Sequence, residues 1–252
     1  MSRFARTEML LGPGGLARLR EARVLVAGLG AVGSYAAEGL ARAGVGHLRI
    51  ADFDILQPSN INRQLYALES TVGRPKVEVA AERIRDINPA CEVDARRVFI
   101  DGDTAPDLVG GVDAVIDAID SLNPKVALLR AASRAGVWTV ACMGAATRTD
   151  PFSIRAGDIA STEHCPLARL VRKRLRRHGV ASGILCVYSV EPPRTAVPAG
   201  ESFDPVPPGF EHRRGRKRRP LGSLSTLTGM FGLVAATQVV LHLAGDAGDL
   251  GG

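Results

Sequence analysis

Through the first 150 or so residues, short continuous apolar runs alternate with segments whose apolar positions recur at helical spacing. Arg23–Ala27 is a run rich in β-branched residues. It gives way to Gly28-Leu29-Gly30-Ala31-Val32-Gly33 and then to an alanine-rich stretch with helical spacing through Ala43. His47–Ala51 reads as a second strand, Lys76–Ile87 as a helix stopped by Asn88-Pro89, and Glu92–Phe99 as a third strand. Ala114–Ala118 then predicts a strand, Pro124–Ala135 a helix and Val137–Cys142 another strand. Continuous apolar runs separated by helices are the pattern of strands covered on both faces, so the expectation is an α/β, doubly wound, Rossmann-like fold with a mostly parallel sheet.

Beyond Gly144 the regularity weakens. Ser153–Ile159 looks extended, Pro166–His178 helical and Ile184–Val190 again like a strand, while residues 191–220 are rich in Pro, Gly and basic residues and read as a long mobile loop. A last helix is expected from about Thr226 to Leu243. The reading is one domain over residues 1–252: a nucleotide-binding core at 1–145 and a C-terminal extension at 146–252. The apolar stretch from Leu221 to Ala244 is long enough to span a bilayer. Ser223, Ser225, Thr226, Thr228, Thr237, Gln238 and His242 interrupt it, so a packed or interface helix is expected and no stable membrane insertion. Met1–Leu11 carries charges throughout and shows no secretory signal, which points to the cytoplasm.

Composition adds little to fold and something to function. With 46% hydrophobic residues the 252-residue chain can bury a large core. A net charge of +6 and a pI near 9.5 favour an anionic partner such as nucleic acid. The cysteines, Cys91, Cys142, Cys165 and Cys186, are widely spaced, with neither a disulfide framework nor a CxxC zinc pair, and read as reduced structural thiols.

Candidate chemistry begins at the glycine turn. Glycines opening a helix let the backbone approach a phosphate that the helix N-terminus then favours, and Gly28, Gly30 and Gly33 stand in that context. Asp52, ending the second strand, is placed to accept hydrogen bonds from ribose hydroxyls. These two features alone would make a nicotinamide-dependent dehydrogenase the default reading. The next segments shift the reading to ATP: Ser59-Asn60-Ile61-Asn62-Arg63-Gln64, then Gly73-Arg74-Pro75-Lys76 at a helix start. An adenylating enzyme must neutralise a triphosphate as pyrophosphate leaves, and Arg63 and Lys76 are donors of that kind. Asp120, following a strand, could hold magnesium through one carboxylate with phosphates as the other ligands. Taken singly, a lysine at a helix start is usually solvated and an aspartate after a strand is often a helix cap; their combination is what points to adenylation.

The glycine turn, Asp52-Phe53-Asp54, the 59–64 box, Lys76 and Asp117-Ala118-Ile119-Asp120-Ser121 together resemble the ubiquitin-activating-enzyme-like family of molybdopterin-synthase and thiamine-pathway adenylyltransferases, over about residues 3–145. The resemblance implies a nucleotide site made of Gly28, Gly30, Gly33, Asp52, Asp54, Ser59, Asn60, Asn62, Arg63, Gln64, Lys76 and Asp120. In it Asp52 binds ribose, Ser59, Asn60, Arg63 and Lys76 contact phosphates, and Asp120 binds magnesium. Arg63, Lys76 and Asp120 would be the catalytic residues, joined by Arg6, which is similar to the arginine that reaches into a neighbouring subunit's ATP site. A homodimer is therefore implied. Sulfur-carrier activators in this family generally carry two CxxC pairs and an acyl-accepting cysteine, and this chain has no CxxC. Pro124-Lys125, Asp150-Pro151, Asp158, Pro166-Leu167, Cys186-Val187-Tyr188-Ser189 with Glu191, and Leu221-Gly222-Ser223 before Phe231-Gly232 resemble instead the tRNA threonylcarbamoyladenosine dehydratases. Cys165 departs from that pattern, standing where it has an aspartate.

That branch implies ATP- and magnesium-dependent adenylation of the threonine carboxylate of a modified adenosine in tRNA, with pyrophosphate released and AMP expelled by internal cyclisation. A nucleophile already held within the substrate makes an acyl-cysteine unnecessary, and Cys186, inside an apolar strand pattern, reads as structural. It also implies tRNA as partner and a sulfur-relay or cysteine-desulfurase protein as a possible second one. Three other readings stay open: an activator of a ubiquitin-like sulfur carrier, an NAD-dependent redox enzyme and a nucleotide-binding scaffold. Two basic clusters are candidates for RNA contact. One lies on the predicted helix, where Leu167, Leu170, Val171 and Leu175 form an apolar stripe beside Arg169, Arg172, Lys173, Arg174, Arg176 and Arg177. The other is Arg213, Arg214, Arg216, Lys217, Arg218 and Arg219 in the loop.

Overall fold

The chain opens with a helix that the hydrophobic pattern did not predict, α1, Ala5–Glu21. Gly12-Pro13 breaks its periodicity and bends it, with Gly12 at φ 72 and ψ 165. Burial of Phe4, Leu16 and Leu19 holds both halves against the core. The computed structural model describes residues 2–194 and 221–245, so the basic loop cluster at 213–219 lies outside the described residues.

From Arg23 the order is the expected one: β1 Arg23–Ala27, α2 Gly33–Ala43, β2 His47–Ala51, α3 Lys76–Ile87, β3 Glu92–Arg96, β4 Ala114–Asp117, α5 Leu122–Arg134 and β5 Trp138–Cys142. A short unpredicted helix, α4 Ala105–Val109, sits between β3 and β4. β3 stops at Arg96, short of the predicted Phe99. Beyond it the chain turns: the Phe99 carbonyl accepts from the Thr104 hydroxyl at 3.0 Å, and the Phe99 ring meets Phe53 edge-on at 5.1 Å. The extension adds β6 Ile154–Asp158, α6 Pro166–Arg176, β7 Leu185–Ser189 and α7 Ser225–Leu243.

The strands form one seven-stranded sheet in the order β3-β2-β1-β4-β5-β7-β6, parallel except for β6, which runs antiparallel to β7 at the edge. β1 shows why its sequence is apolar at successive positions. Val24 and Val26 pack on one face with Ile50, Val140 and Phe231, while Leu25 and Ala27 pack on the other with Leu108, Val115 and Leu128. Strand order reverses between β1 and β4, and in doubly wound sheets the crevice at that reversal, at the carboxyl ends of the strands, is where ligands bind.

α7 is long and apolar enough to cross a membrane, and half of that apolar window is buried inside the protein. Its Phe231, Ala235, Ala236 and Val239 join the central core against α2. A Cβ at Gly232 would fall 2.2 Å from the Val32 carbonyl oxygen, so the helices meet backbone to backbone. Ser225, Thr226, Thr228 and Thr237, which interrupt the run, therefore belong to a core helix, and Ser223 precedes it.

Candidate active site

The glycine turn leaves β1 at that reversal point. Gly28 adopts φ +87, and a Cβ at Gly33 would lie 1.7 Å from the Gly28 carbonyl oxygen, so only glycine lets the chain fold this tightly into α2. Asp52, at the end of β2, fastens the turn to the neighbouring strand: Oδ2 accepts from the Leu29 amide at 2.7 Å and Oδ1 from the Asp54 amide at 2.9 Å.

Lys76 opens α3 directly beneath. Its ammonium donates to Asp54 Oδ2 at 3.0 Å, and its side chain is only 6% exposed. Burial works against a charged lysine there, yet Asp52, Asp54 and Asp120 outweigh it and raise the Lys76 pKa above the ordinary value. The Asp54 pKa is raised in turn, by burial and by the like charges of Asp52 and Asp120, with Lys76 opposing. Three carboxylates from the ends of β2 and β4 thus surround one buried cation, a concentration of charge that folding alone does not require.

The 59–64 box lines the same end of the sheet. Asn60 is buried, with Oδ1 accepting from the Gln57 amide at 3.1 Å. Gln64 is buried, its Nε2 lies 3.9 Å from where a Gly30 Cβ would sit, and its Oε1 has no partner among the described residues. Arg63 is half-exposed and rests on its own loop, donating through Nη1 to the Ser59 carbonyl and to Asn62 Oδ1, both at 2.8 Å. Asn62 donates to the Ser223 carbonyl at 3.5 Å, which links the box to the segment entering α7. Of the sequence-predicted residues, Gly28, Gly30, Gly33, Asp52, Asp54, Gln64, Lys76 and Asp120 are drawn together, with Ser59, Asn60, Asn62 and Arg63 alongside. Arg6 is exposed on α1 and makes no hydrogen bond or ion pair among the described residues.

One element was quoted from the sequence without a role. Lys125 and Asp117 are both fully buried, with Nζ 2.8 Å from Asp117 Oδ2 as a charge contact outside hydrogen-bond alignment. Lys125 also donates to the Ile119 carbonyl at 2.9 Å, while Asp117 Oδ1 accepts from the Ile119 amide at 3.1 Å. The pair clamps the turn that carries Asp120. Its signal in the sequence was an acid closing an otherwise apolar strand and a lysine beside Val126 on the inner face of α5. A cavity of about 660 Å³ lined by Arg18, Arg20, Glu21, Asp113 and Leu243 opens at the opposite, amino edge of the sheet and holds none of these groups.

Residues 4–250 match the ThiF family. The chain belongs to that family. Within the ThiF family, a tRNA threonylcarbamoyladenosine dehydratase of Bacillus subtilis is 37% identical, covering 98% of this chain and 96% of that protein. The crystal structure of the Escherichia coli tRNA N6-threonylcarbamoyladenosine dehydratase in complex with ATP superposes with a TM-score of 0.84 at 36% identity, covering 99% of this chain and 96% of that one. Another ThiF-family relative, the sulfur carrier protein ThiS adenylyltransferase of B. subtilis, is 33% identical and covers 67% of this chain and 51% of its own length.

Proposed function

We propose that this ThiF-family chain catalyses the ATP-dependent dehydration of threonylcarbamoyladenosine in tRNA. The observation that carries the reading is the buried Lys76 ringed by Asp52, Asp54 and Asp120 beneath the glycine turn, in a chain that parallels the dehydratases over nearly its whole length. In this reading a carboxylate oxygen of the substrate attacks the α-phosphorus of ATP and pyrophosphate leaves. An atom of the same side chain then attacks the activated carbonyl carbon and AMP leaves, so the nucleoside loses one water in all. The turn amides at Gly28–Gly33 and the N-terminus of α2 face the phosphates, Asp52 releases the Leu29 amide to take up ribose, and Arg63 swings from Ser59 and Asn62 onto the leaving pyrophosphate.

Among the described residues no cluster of three or more His, Cys, Asp or Glu side chains could cage a metal. Magnesium does not need one, because one carboxylate with phosphate oxygens and water completes its shell, and Asp120 is the residue that would supply that carboxylate. Bound there, the ion would offset charge on the departing pyrophosphate. Cys142 and Cys186 fit no acyl-transfer role. Burial raises the Cys142 pKa to about 12 and drives that of Cys186 higher still, which leaves both as unreactive thiols.

The exposed Arg6 lies on the same helix as Met9 and Leu10, 80% and 79% exposed, which supports a homodimer in which Arg6 completes the partner's site. With tRNA as substrate and α7 packed into the core, we place the protein in the cytoplasm.

Part of the basic helix suits RNA and part does not. Arg172 turns inward to the Ile159 carbonyl and to Thr162, and Arg174 bonds Asn123. Arg169, Lys173, Arg176 and Arg177 stay exposed without an ion pair among the described residues. Next to them the His178 pKa is held down by desolvation and by Arg130, Arg134 and Arg177, the mark of positive charge left unneutralised. The triple replacement Lys173→Glu, Arg176→Glu, Arg177→Glu is expected to weaken tRNA binding at least tenfold. It should flatten the log–log salt dependence by about 0.7–0.9 per lost phosphate contact and leave ATP binding alone. An unchanged salt slope would remove this face from the RNA interface.

The reading is tested by nucleoside mass spectrometry of tRNA carrying threonylcarbamoyladenosine, incubated with the protein, ATP and magnesium, with AMP followed in parallel. Loss of one water matched by AMP is expected. Absence of both from folded, ATP-binding protein would redirect the search to diglycine-tailed sulfur carriers.

A further inference from the structure

Arg148 occupies the loop after β5, and its side chain is almost entirely enclosed, at 3% exposure. Nη2 donates to the His164 carbonyl at 3.1 Å, whereas Nε and Nη1 are buried with no hydrogen-bond partner among the described residues. His164 immediately precedes Cys165, the N-cap of the 11-residue α6, so the guanidinium lies against the positive end of that helix. The cap itself is weak: Cys165 Sγ accepts from the Ala168 amide at 3.5 Å. A cation with open donors, buried against a like-signed dipole, is strongly disfavoured unless something negative completes it.

Among the described residues no acid does so. Glu191 acts on Arg148 from a distance, but its oxygens are committed to the Thr149 and Asp150 amides at 2.8 and 2.9 Å, with the Thr149 hydroxyl and Arg194 also bonded to it. Those bonds hold the Glu191 pKa down at about 2, the state of a carboxylate already satisfied. Burial meanwhile pushes the Arg148 pKa down, against the opposing pull of Cys165 and Glu191.

We infer that Arg148 and the N-terminus of α6 form a binding site for one small monovalent anion, of chloride or single-carboxylate size, that bonds Arg148 Nε and Nη1. Enclosure sets the size, since a nucleotide or RNA phosphate could not reach buried nitrogens. The site is separate from the Lys76 cluster. It also braces it indirectly: the Thr147 amide, next to Arg148, donates to the Gly222 carbonyl at 2.8 Å, and Ser223 receives Asn62 of the nucleotide box.

The test is thermal unfolding after exhaustive dialysis into isethionate, which is too bulky to enter, followed by titration with chloride or formate at constant ionic strength. For the wild type, Tm should rise saturably by about 3 °C. A response to formate alone identifies a carboxylate site and a response to both a general small-anion site. Arg148→Met should lose the dependence. Cys165→Asp, which builds a carboxylate into the cap beside the guanidinium, should raise Tm in isethionate and abolish the response. A wild type indifferent to both anions, or an Arg148→Met protein that responds as the wild type does, would overturn the site and leave water as the occupant.

Discussion

Arg63→Ala is expected to lower AMP formation by roughly 10²–10³-fold, the usual size of one lost electrostatic contact to a transition state, with little change in Tm. The asymmetry follows from where the side chain sits. Arg63 is half-exposed and, among the described residues, bonds only to its own loop, so folding loses little when it goes, while under the proposed function the pyrophosphate loses a guanidinium donor. Asp120→Ala should match or exceed that loss and also steepen the magnesium requirement, because it removes the proposed protein ligand to the ion. Steady-state AMP release with magnesium titration, alongside calorimetry, checks both. Retained turnover in both variants would sink the assignment of this site.

The largest effect on stability is expected from Lys125→Met. Removing one member of a fully buried ion pair leaves its partner uncompensated, at a cost of about 3–5 kcal/mol, which for a chain of this size is roughly a 10 °C fall in Tm. The remaining Asp117 is fully enclosed, and burial already raises its pKa even with Lys125 beside it. Without the lysine the folded-state pKa climbs further above the unfolded value. A raised carboxyl pKa contributes stability below the unfolded pKa, near 4, and loses it as pH rises through the folded one. The variant should therefore be most wild-type-like in mild acid and weakest above neutrality. The double variant Asp117→Leu, Lys125→Met should recover most of the lost Tm, because a well-packed apolar pair replaces a buried charge pair at little cost. It should not recover turnover, since the clamp on Ile119 that positions Asp120 is gone. Equal losses in the single and double variants would show that packing, and not charge, is what this pair contributes.

Legibility in the sequence followed the physical range of each signal. β1, β4 and β5 were visible because strands buried on both faces are apolar at nearly every position, and β2 because Leu48, Ile50 and Ala51 keep its core-facing positions apolar. The glycine turn was visible because its closeness to Gly28 tolerates no Cβ at residue 33. Gly28, Gly33, Asp52, Lys76 and Asp120, proposed for the nucleotide site, were readable as a spaced set, since each stands next to the end of a strand or at the start of a helix already located. α1 was missed because Gly12-Pro13 erases helical periodicity locally, and what restores the helix is contact of Leu16 and Leu19 with a core assembled from distant segments.

What residue types and spacing determined by themselves was therefore the fold class and the set of residues proposed for the nucleotide site. Only the tertiary structure decided which charges are paired. It buried Lys76 among three carboxylates, joined Asp117 to Lys125, turned Arg172 inward while leaving Arg176 and Arg177 outside, and enclosed Arg148 with Nε and Nη1 unpaired among the described residues. The reason is that periodicity reports which face of an element is apolar, whereas the state of a charge depends on what the rest of the chain brings within a few ångströms of it.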